Sequence, residues 1–159
     1  MDCGGYRERT LYHFKELEIG SLFQSNNIDC VHDKRVCING SKYRPDYLMK
    51  TTFGYLITEV DEHQHKREGY SQEQELQRMR SIYNDIQLVD SGKEVLFIRY
   101  NPDEYEGVQM EKPAKQKYLY DIIMSLKDLP RLNIPLGKLI LFYDGFDGNT
   151  NYSNLETYI

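Results

Sequence analysis

The spacing of apolar residues predicts a helix, a group of short strands, and then helices and strands in alternation. The clearest helix spans 71–88, because its apolar residues recur every three or four positions and Ser71 can cap its N-terminus. Weaker helical spacing covers 10–24 and 113–129, where Pro113 suits a first turn. The predicted apolar stripe of the clearest helix consists of Leu76, Met79, Ile82, Tyr83 and Ile86.

Short apolar runs bounded by turn residues predict the strands. Residues 28–38 alternate well enough for one or two strands, while 45–50 and 54–61 predict a hairpin joined at "TTFG". The run "VLFIRY", residues 95–100, is typical of a central strand that is covered on both faces, and 136–145 supplies the last strand. This order predicts an α/β fold with a mixed sheet flanked by helices.

Length and composition fit one intracellular domain. The 159 residues are 40% hydrophobic, enough for one core, and no apolar run reaches the ~20 residues that cross a bilayer. The first ten residues lack the apolar segment of a secretory signal. Three cysteines without a C-x-x-C pair favour reduced thiols over a disulfide framework or structural zinc. We assign 10–145 to the domain, 1–9 to a flexible N-terminus and 146–159 to a C-terminal tail.

The acidic net charge argues against one class of nucleic-acid-binding protein but leaves others open. A net charge of −5 argues against a protein that coats nucleic acid nonspecifically, since such proteins are normally basic. It does not exclude a nuclease, whose metal site is itself a cluster of carboxylates. The 14 tyrosines and no tryptophan suit half-buried sheets, or stacking on bases.

Three carboxylates are predicted to converge at one edge of the sheet. Asp46 lies on the first hairpin strand, and Glu59 and Asp61 lie at the end of the second. Their repulsion and burial would raise their pKa values, and a divalent cation would remove that cost. Hard oxygen ligands suit Mg²⁺ or Mn²⁺. Each acid alone could be a solvated charge or a turn cap, but Glu59 in so apolar a strand is costly unless it is paired or metal-bound.

Polar side chains just beyond the second strand are further candidates. Gln64 could bind a phosphate or position a water, and His65 could act as general acid or base or contact a metal-bound water. His63 and His65 could also indicate zinc, but no third soft ligand lies nearby in the sequence. An exposed turn position is the simpler interpretation of His63.

Three charged residues could support the site. Glu75 and Arg78 lie three apart on the clearest helix, where they can pair with each other on the surface or organise the site. Arg99, at the end of a buried strand, can hold a carboxylate or a phosphate.

Taken in order, these motifs resemble those of the PD-(D/E)XK, or restriction-endonuclease-like, nucleases. The spacing is similar to the Vsr-like branch, which comprises very-short-patch-repair and related homing endonucleases, in a compact form associated with large DNA viruses. The resemblance covers residues 11–143. The motifs that carry it are "RPD" (44–46), "EVDEHQH" (59–65), "EQELQRM" (73–79) and "VLFIRYNPDEY" (95–105).

The resemblance implies a restriction-endonuclease-like core and a Mg²⁺- or Mn²⁺-dependent DNA endonuclease that nicks or cuts both strands. It implies metal binding by Asp46, Glu59 and the Val60 carbonyl, and a role for Glu16 in holding a metal-bound water. Asp61 stands where many members carry the motif lysine. Either Asp61 is a further metal ligand, or a nearby basic residue takes the lysine's role.

The resemblance also implies DNA as the partner, with a homodimer as one way to cut both strands, no membrane and no organic cofactor. The location would be the cytoplasm, the nucleus or a viral factory. Basic residues that flank the motif are predicted to contact DNA: Lys34, Arg35, Lys42, Arg44, Lys66 and Arg67.

Two other functions compete with the nuclease. The acidic balance and the missing motif lysine favour a catalytically inactive nucleic-acid-binding or assembly module on the same fold. An unrelated α/β metal protein such as a phosphatase would need a phosphate-binding glycine loop, and the sequence has neither a P-loop nor a G-x-G-x-x-G motif.

Overall fold

A mixed sheet forms the centre of the protein, as the sequence predicts. The computed structural model describes residues 14–65, 71–150 and 152–155, and in this part six strands hydrogen-bond in chain order. The third, fourth and fifth strands are parallel, and the other neighbouring pairs are antiparallel. The strands are β1 (Val31–His32), β2 (Tyr47–Lys50), β3 (Gly54–Val60), β4 (Glu94–Tyr100), β5 (Leu136–Leu141) and β6 (Ser153–Asn154).

Helices cover both faces of the sheet. In the described ranges these are α1 (Phe14–Ser25), α2 (Gln72–Val89) and α3 (Lys112–Leu126). One core cluster joins the sheet to α1 and α3, and a second joins it to α2. The predicted α/β class with a mixed sheet between helices is confirmed. None of these helices has the length and apolar character needed to cross a bilayer.

Local sequence signals explain the best-predicted elements. Ser71 caps α2 by accepting from the Gln74 backbone N–H at 3.1 Å, and the Gln74 side chain accepts from the Ser71 N–H at 3.4 Å. All seven residues of β3 are buried, as expected for a central strand. The hairpin from β2 to β3 is antiparallel, with Tyr47 opposite Thr58.

Other predicted elements differ from the structure. Of the one or two strands expected over 28–38, only the two residues of β1 form a strand, and the residues after it form a loop that packs on α2. Strand β5 ends at Leu141, because Phe142 takes a left-handed φ of 64°. Part of the segment assigned to the tail forms β6, and Leu155 is buried. Residues 1–13 lie outside the described residues.

The parallel strands all end at the same edge of the sheet, where open α/β sheets commonly bind their ligands. We call it the carboxyl edge. Strand β2 begins there because it runs antiparallel to β3. Buried Asn101 organises this edge by donating to the Phe142 carbonyl at 2.8 Å and accepting from the Asp103 N–H at 3.0 Å.

Candidate functional site at the carboxyl edge

Two of the predicted acids meet at the carboxyl edge. Continuing the β2–β3 register by one step places Asp46 opposite Glu59. The Asp46 N–H donates to Glu59 Oε2 at 3.2 Å, and the Val60 N–H donates to Asp46 Oδ2 at 2.8 Å. The strand pairing therefore fixes both carboxyl groups side by side.

The electrostatics of this acid pair are unfavourable without a counter-charge. Burial raises the pKa of Asp46 to about 10, and the Glu59 and Glu16 carboxylates contribute to the rise. The Val60 N–H opposes it by stabilising the charged form. Near neutral pH the acid pair therefore favours holding a proton, which a bound cation would replace.

Arg78 balances the charge of Glu59. Its Nε and Nη2 atoms donate to Glu59 Oε1 at 3.3 and 3.1 Å, and Nη2 also donates to the Arg44 carbonyl at 2.8 Å. Glu75 lies 3.4 Å from Arg99 instead of pairing with Arg78. Instead of the surface pair considered for Glu75 and Arg78, Arg78 contacts Glu59 and Glu75 contacts Arg99, and both contacts help to organise the carboxyl edge.

Asp61 lies on the same face as Glu59 but has different partners. Arg99 donates to its two oxygens at 2.6 and 2.9 Å, and the Tyr143 hydroxyl donates to it as well. Both Asp61 and Arg99 are 1% exposed. A cation shared by Asp61, Asp46 and Glu59 does not fit this geometry, because the Arg99 guanidinium already neutralises Asp61. Arg99 thus holds a carboxylate, one of the two partners expected for it.

The donors that remain for a cation are the acid pair and one backbone carbonyl. Asp61 donates its N–H toward β4, so Val60 points its own N–H and carbonyl toward β2. The residue opposite Val60 in the extended register is Pro45, which has no N–H to donate. The proline of "RPD" thus leaves the Val60 carbonyl without a strand partner at that position. In the described ranges, no three His, Cys, Asp or Glu side chains group as a metal site.

A histidine that the sequence analysis missed stands beside the acid pair. His32 Nε2 lies 2.6 Å from Glu16 Oε2, and its ring stacks on Tyr47 at 4.6 Å between centroids. The Tyr47 hydroxyl donates to the Glu16 carbonyl at 2.7 Å. Because Glu16 also raises the pKa of Asp46, the Glu16–His32 pair borders the acids. The sequence feature that could have indicated a role for His32 is its position on a predicted strand that precedes "RPD".

The turn after β3 faces other loops. Gln64 accepts from the Asp144 N–H at 2.6 Å and donates to Asp144 Oδ1 at 3.0 Å, so it ties this turn to the loop after β5. The His63 N–H donates to Asp103 Oδ2 at 2.7 Å, and the His63 side chain is mostly exposed. The side chain of His65 and the whole of Lys66 and Arg67 lie outside the described residues.

A buried lysine also lies at this edge. Lys115 donates to the Asp103 carbonyl at 2.8 Å and lies over the rings of Tyr105 and Phe142, each 5.1 Å from its Nζ. Desolvation lowers its pKa to about 8, partly offset by Asp103. Lys115 lies four residues before Leu119, which is also buried on α3, and this helical spacing was the sequence signal for the burial of Lys115. Lys115 holds the loop after β4.

The remaining residues predicted to contact DNA precede the acid pair. Lys34, Arg35, Lys42 and Arg44 are all exposed, and they lie in the loop between β1 and β2. Compared with protein-family models, curated proteins and solved structures, the chain matches none of them. The resemblance to PD-(D/E)XK nucleases therefore rests on the residues alone and stays a prediction.

Proposed function

We propose that this protein is a metal-dependent endonuclease that hydrolyses phosphodiester bonds in DNA. The observation that carries the proposal is the acid pair. Asp46 and Glu59 are held side by side by their strands, and the pKa of Asp46 rises to about 10. Proteins keep such an arrangement at a cost in stability, and functional sites are where it is commonly found.

In this proposal Asp46, Glu59 and the Val60 carbonyl would hold Mg²⁺ or Mn²⁺. When bound, the cation supplies a Lewis acid that stabilises the charge developing on the phosphate and activates a water. Arg78 orients Glu59 by binding its Oε1. These donors come from Asp46, directly before β2, and from the end of β3, and the Val60 N–H joins the two by donating to Asp46 Oδ2 at 2.8 Å.

Proton transfer is proposed for the Glu16–His32 pair. Glu16 fixes the His32 ring through Nε2, and stacking on Tyr47 restricts its rotation. A histidine oriented by a carboxylate is a common general acid or base. The sequence-based candidate, His65, remains a second proposal for the same step.

DNA is the proposed substrate because the loop before Asp46 presents exposed basic residues although the chain is acidic. A cell compartment that holds DNA, such as the nucleus, the cytoplasm of a microbe or a viral factory, is the proposed location. A homodimer would place two sites on opposite strands, so it predicts double-strand cuts, whereas a monomer predicts nicks.

The test is cleavage of supercoiled, linear, mismatched and branched DNA with Mg²⁺ or Mn²⁺ and with EDTA. We expect divalent-dependent nicking or linearisation by the wild type and none by Asp46→Asn. Asp121→Asn is the control, since Asp121 is an exposed acid on α3 that pairs with Lys117. Full activity in Asp46→Asn, or no cleavage of any substrate, would contradict the proposal.

A second candidate is a module that binds nucleic acid and cuts nothing. The observation in its favour is the Arg78–Glu59 pair at 3.1 Å, which balances one of the two acids without a metal. In addition, the position of the motif lysine is taken by Asp61, which Arg99 neutralises. Binding of DNA with no cleavage, and no thermal stabilisation by Mg²⁺ or Mn²⁺, would favour this candidate.

A further inference from the structure

The loop of residues 33–46, called here the basic loop, combines charge with an exposed apolar tip. It carries four exposed cationic side chains, and its tip residue Ile38 is 88% exposed. A single exposed apolar residue is unremarkable on a surface. What sets Ile38 apart is that its loop is fixed in place.

A buried carboxylate of α2 holds the tip of the basic loop. Asp85 is 4% exposed and accepts from the Ser41 N–H at 2.9 Å and from the Ser41 hydroxyl. A Cβ on Gly40 would lie 2.5 Å from Asp85 Oδ1 and 2.6 Å from Cys37 Sγ, so a larger residue there would displace one or both of these side chains. The Gly40 N–H also donates to the Cys37 carbonyl at 3.3 Å, which closes the turn that carries Ile38.

The two ends of the basic loop are fixed to the acid pair. The Asp33 N–H donates to the Asp46 carbonyl at 3.0 Å. Arg78 donates to the Arg44 carbonyl and to Glu59, and its guanidinium lies 5.4 Å from the centroid of the Tyr43 ring. Arg78 therefore positions both the basic loop and Glu59, and this links the position of Ile38 to that of the acid pair.

We propose that the basic loop docks on duplex DNA and that Ile38 inserts between neighbouring base pairs. The choice of DNA as the partner rests on the proposed function and on charge complementarity with Lys34, Arg35, Lys42 and Arg44. Apolar side chains that enter a base step unstack it and bend the duplex, and flanking cations hold the phosphates. A rigid support is what such insertion requires, because a loose loop would fold back rather than part the bases.

The test is permanganate oxidation of thymines, which react when they lose their stacking. The full-length protein is bound to an end-labelled duplex of mixed sequence, in Ca²⁺ and again in EDTA, where no cleavage is expected. We expect the wild type to create reactive thymines and Ile38→Ser to lose them, while Ile38→Leu retains them. The matched control is Leu88→Ser, because Leu88 is a 72% exposed apolar residue of α2 outside the basic loop.

DNA affinity measured at several salt concentrations distinguishes the contribution of Ile38 from that of the lysines in the basic loop. Ile38→Ser should leave the salt dependence unchanged. Lys34→Ala and Lys42→Ala should each reduce its slope by about one for every phosphate that the lysine neutralises. Lys117→Ala, on the exposed surface of α3, is the control for charge.

The outcomes distinguish a failure of the Ile38 insertion from a failure of the proposed nuclease function. DNA bound without new thymine reactivity, or reactivity that persists in Ile38→Ser, overturns the insertion. So does self-association that depends on Ile38, since the tip would then contact a second copy. If thymines become reactive but Mg²⁺ and Mn²⁺ support no cleavage, the insertion stands and the nuclease fails. The absence of any DNA binding overturns both.

Discussion

Asp46 and Glu59 contact each other across adjacent strands, with the Asp46 N–H 3.2 Å from Glu59 Oε2. Their environments differ because Glu59 also binds Arg78, whereas Asp46 receives the Val60 N–H. The two acids should therefore respond differently to neutralisation.

In metal-free protein we expect Asp46→Asn to raise the free energy of unfolding and Glu59→Gln to lower it. The asparagine is neutral in both states, so folding no longer requires the uptake of a proton at this position. The glutamine deprives Arg78 of a charged partner, which costs about 1–3 kcal/mol. Urea unfolding in EDTA measures both, with Asp121→Asn as a surface control. Equal effects of the two variants would show that the acids do not differ in this way.

The pH dependence of stability follows from the raised pKa of Asp46. Between its ordinary value of 3.8 and about 10, the native protein holds a proton that the unfolded chain has released. The contribution of Asp46 to the free energy of unfolding therefore falls as pH rises through this window.

We expect the stability advantage of Asp46→Asn over the wild type to grow between about pH 5 and about pH 9. Urea unfolding at several pH values in EDTA measures it. A cation that replaces the proton should stabilise the wild type more as pH rises, and Asp46→Asn much less. A difference between the proteins that does not change with pH would contradict the raised pKa.

For Asp61 we expect a loss of stability rather than a loss of metal binding. Asp61→Asn removes the carboxylate that accepts two hydrogen bonds from Arg99 and leaves Glu75, 3.4 Å from Arg99 Nε, as its acidic partner. We expect a cost of about 1–3 kcal/mol. Because that variant could fail to fold, Tyr143→Phe offers a milder test with a cost of about 1–2 kcal/mol. Urea unfolding gives the stabilities, and calorimetric titration with Mn²⁺ gives the metal affinity. A folded Asp61→Asn with wild-type stability but no metal response would restore Asp61 as a ligand.

His32 and His65 can be separated by kinetics. If His32 transfers a proton, His32→Asn should lower kcat by about 10²-fold or more with little change in KM or DNA affinity. His63→Asn should be neutral, since that side chain is 60% exposed. His65→Asn tests the sequence-based candidate in the same assay. A decrease only in His65→Asn would assign the proton transfer to His65.

Periodicity and capping were enough to predict α2, β3 and β4. Their signals are local: Ser71 and Gln74 are three residues apart, and continuous apolar runs give the buried strands. The pairing of the β2–β3 hairpin was predictable for the same reason, and with it the meeting of Asp46 and Glu59. By contrast, residues 33–38 of the basic loop were predicted to belong to a strand. Their alternation could not reveal the hydrogen bond between Ser41 and Asp85, which are 44 residues apart.

The sequence alone determined that Glu59 and Asp61 share a face, because side chains alternate along a strand with a period of two. Only the tertiary structure decided their partners. The parallel register of β3 and β4 puts Arg99 opposite Glu59, yet its guanidinium reaches Asp61, and α2 brings Arg78 to Glu59. Ion pairs depend on distances through space between residues far apart in the chain, and no local pattern encodes those distances.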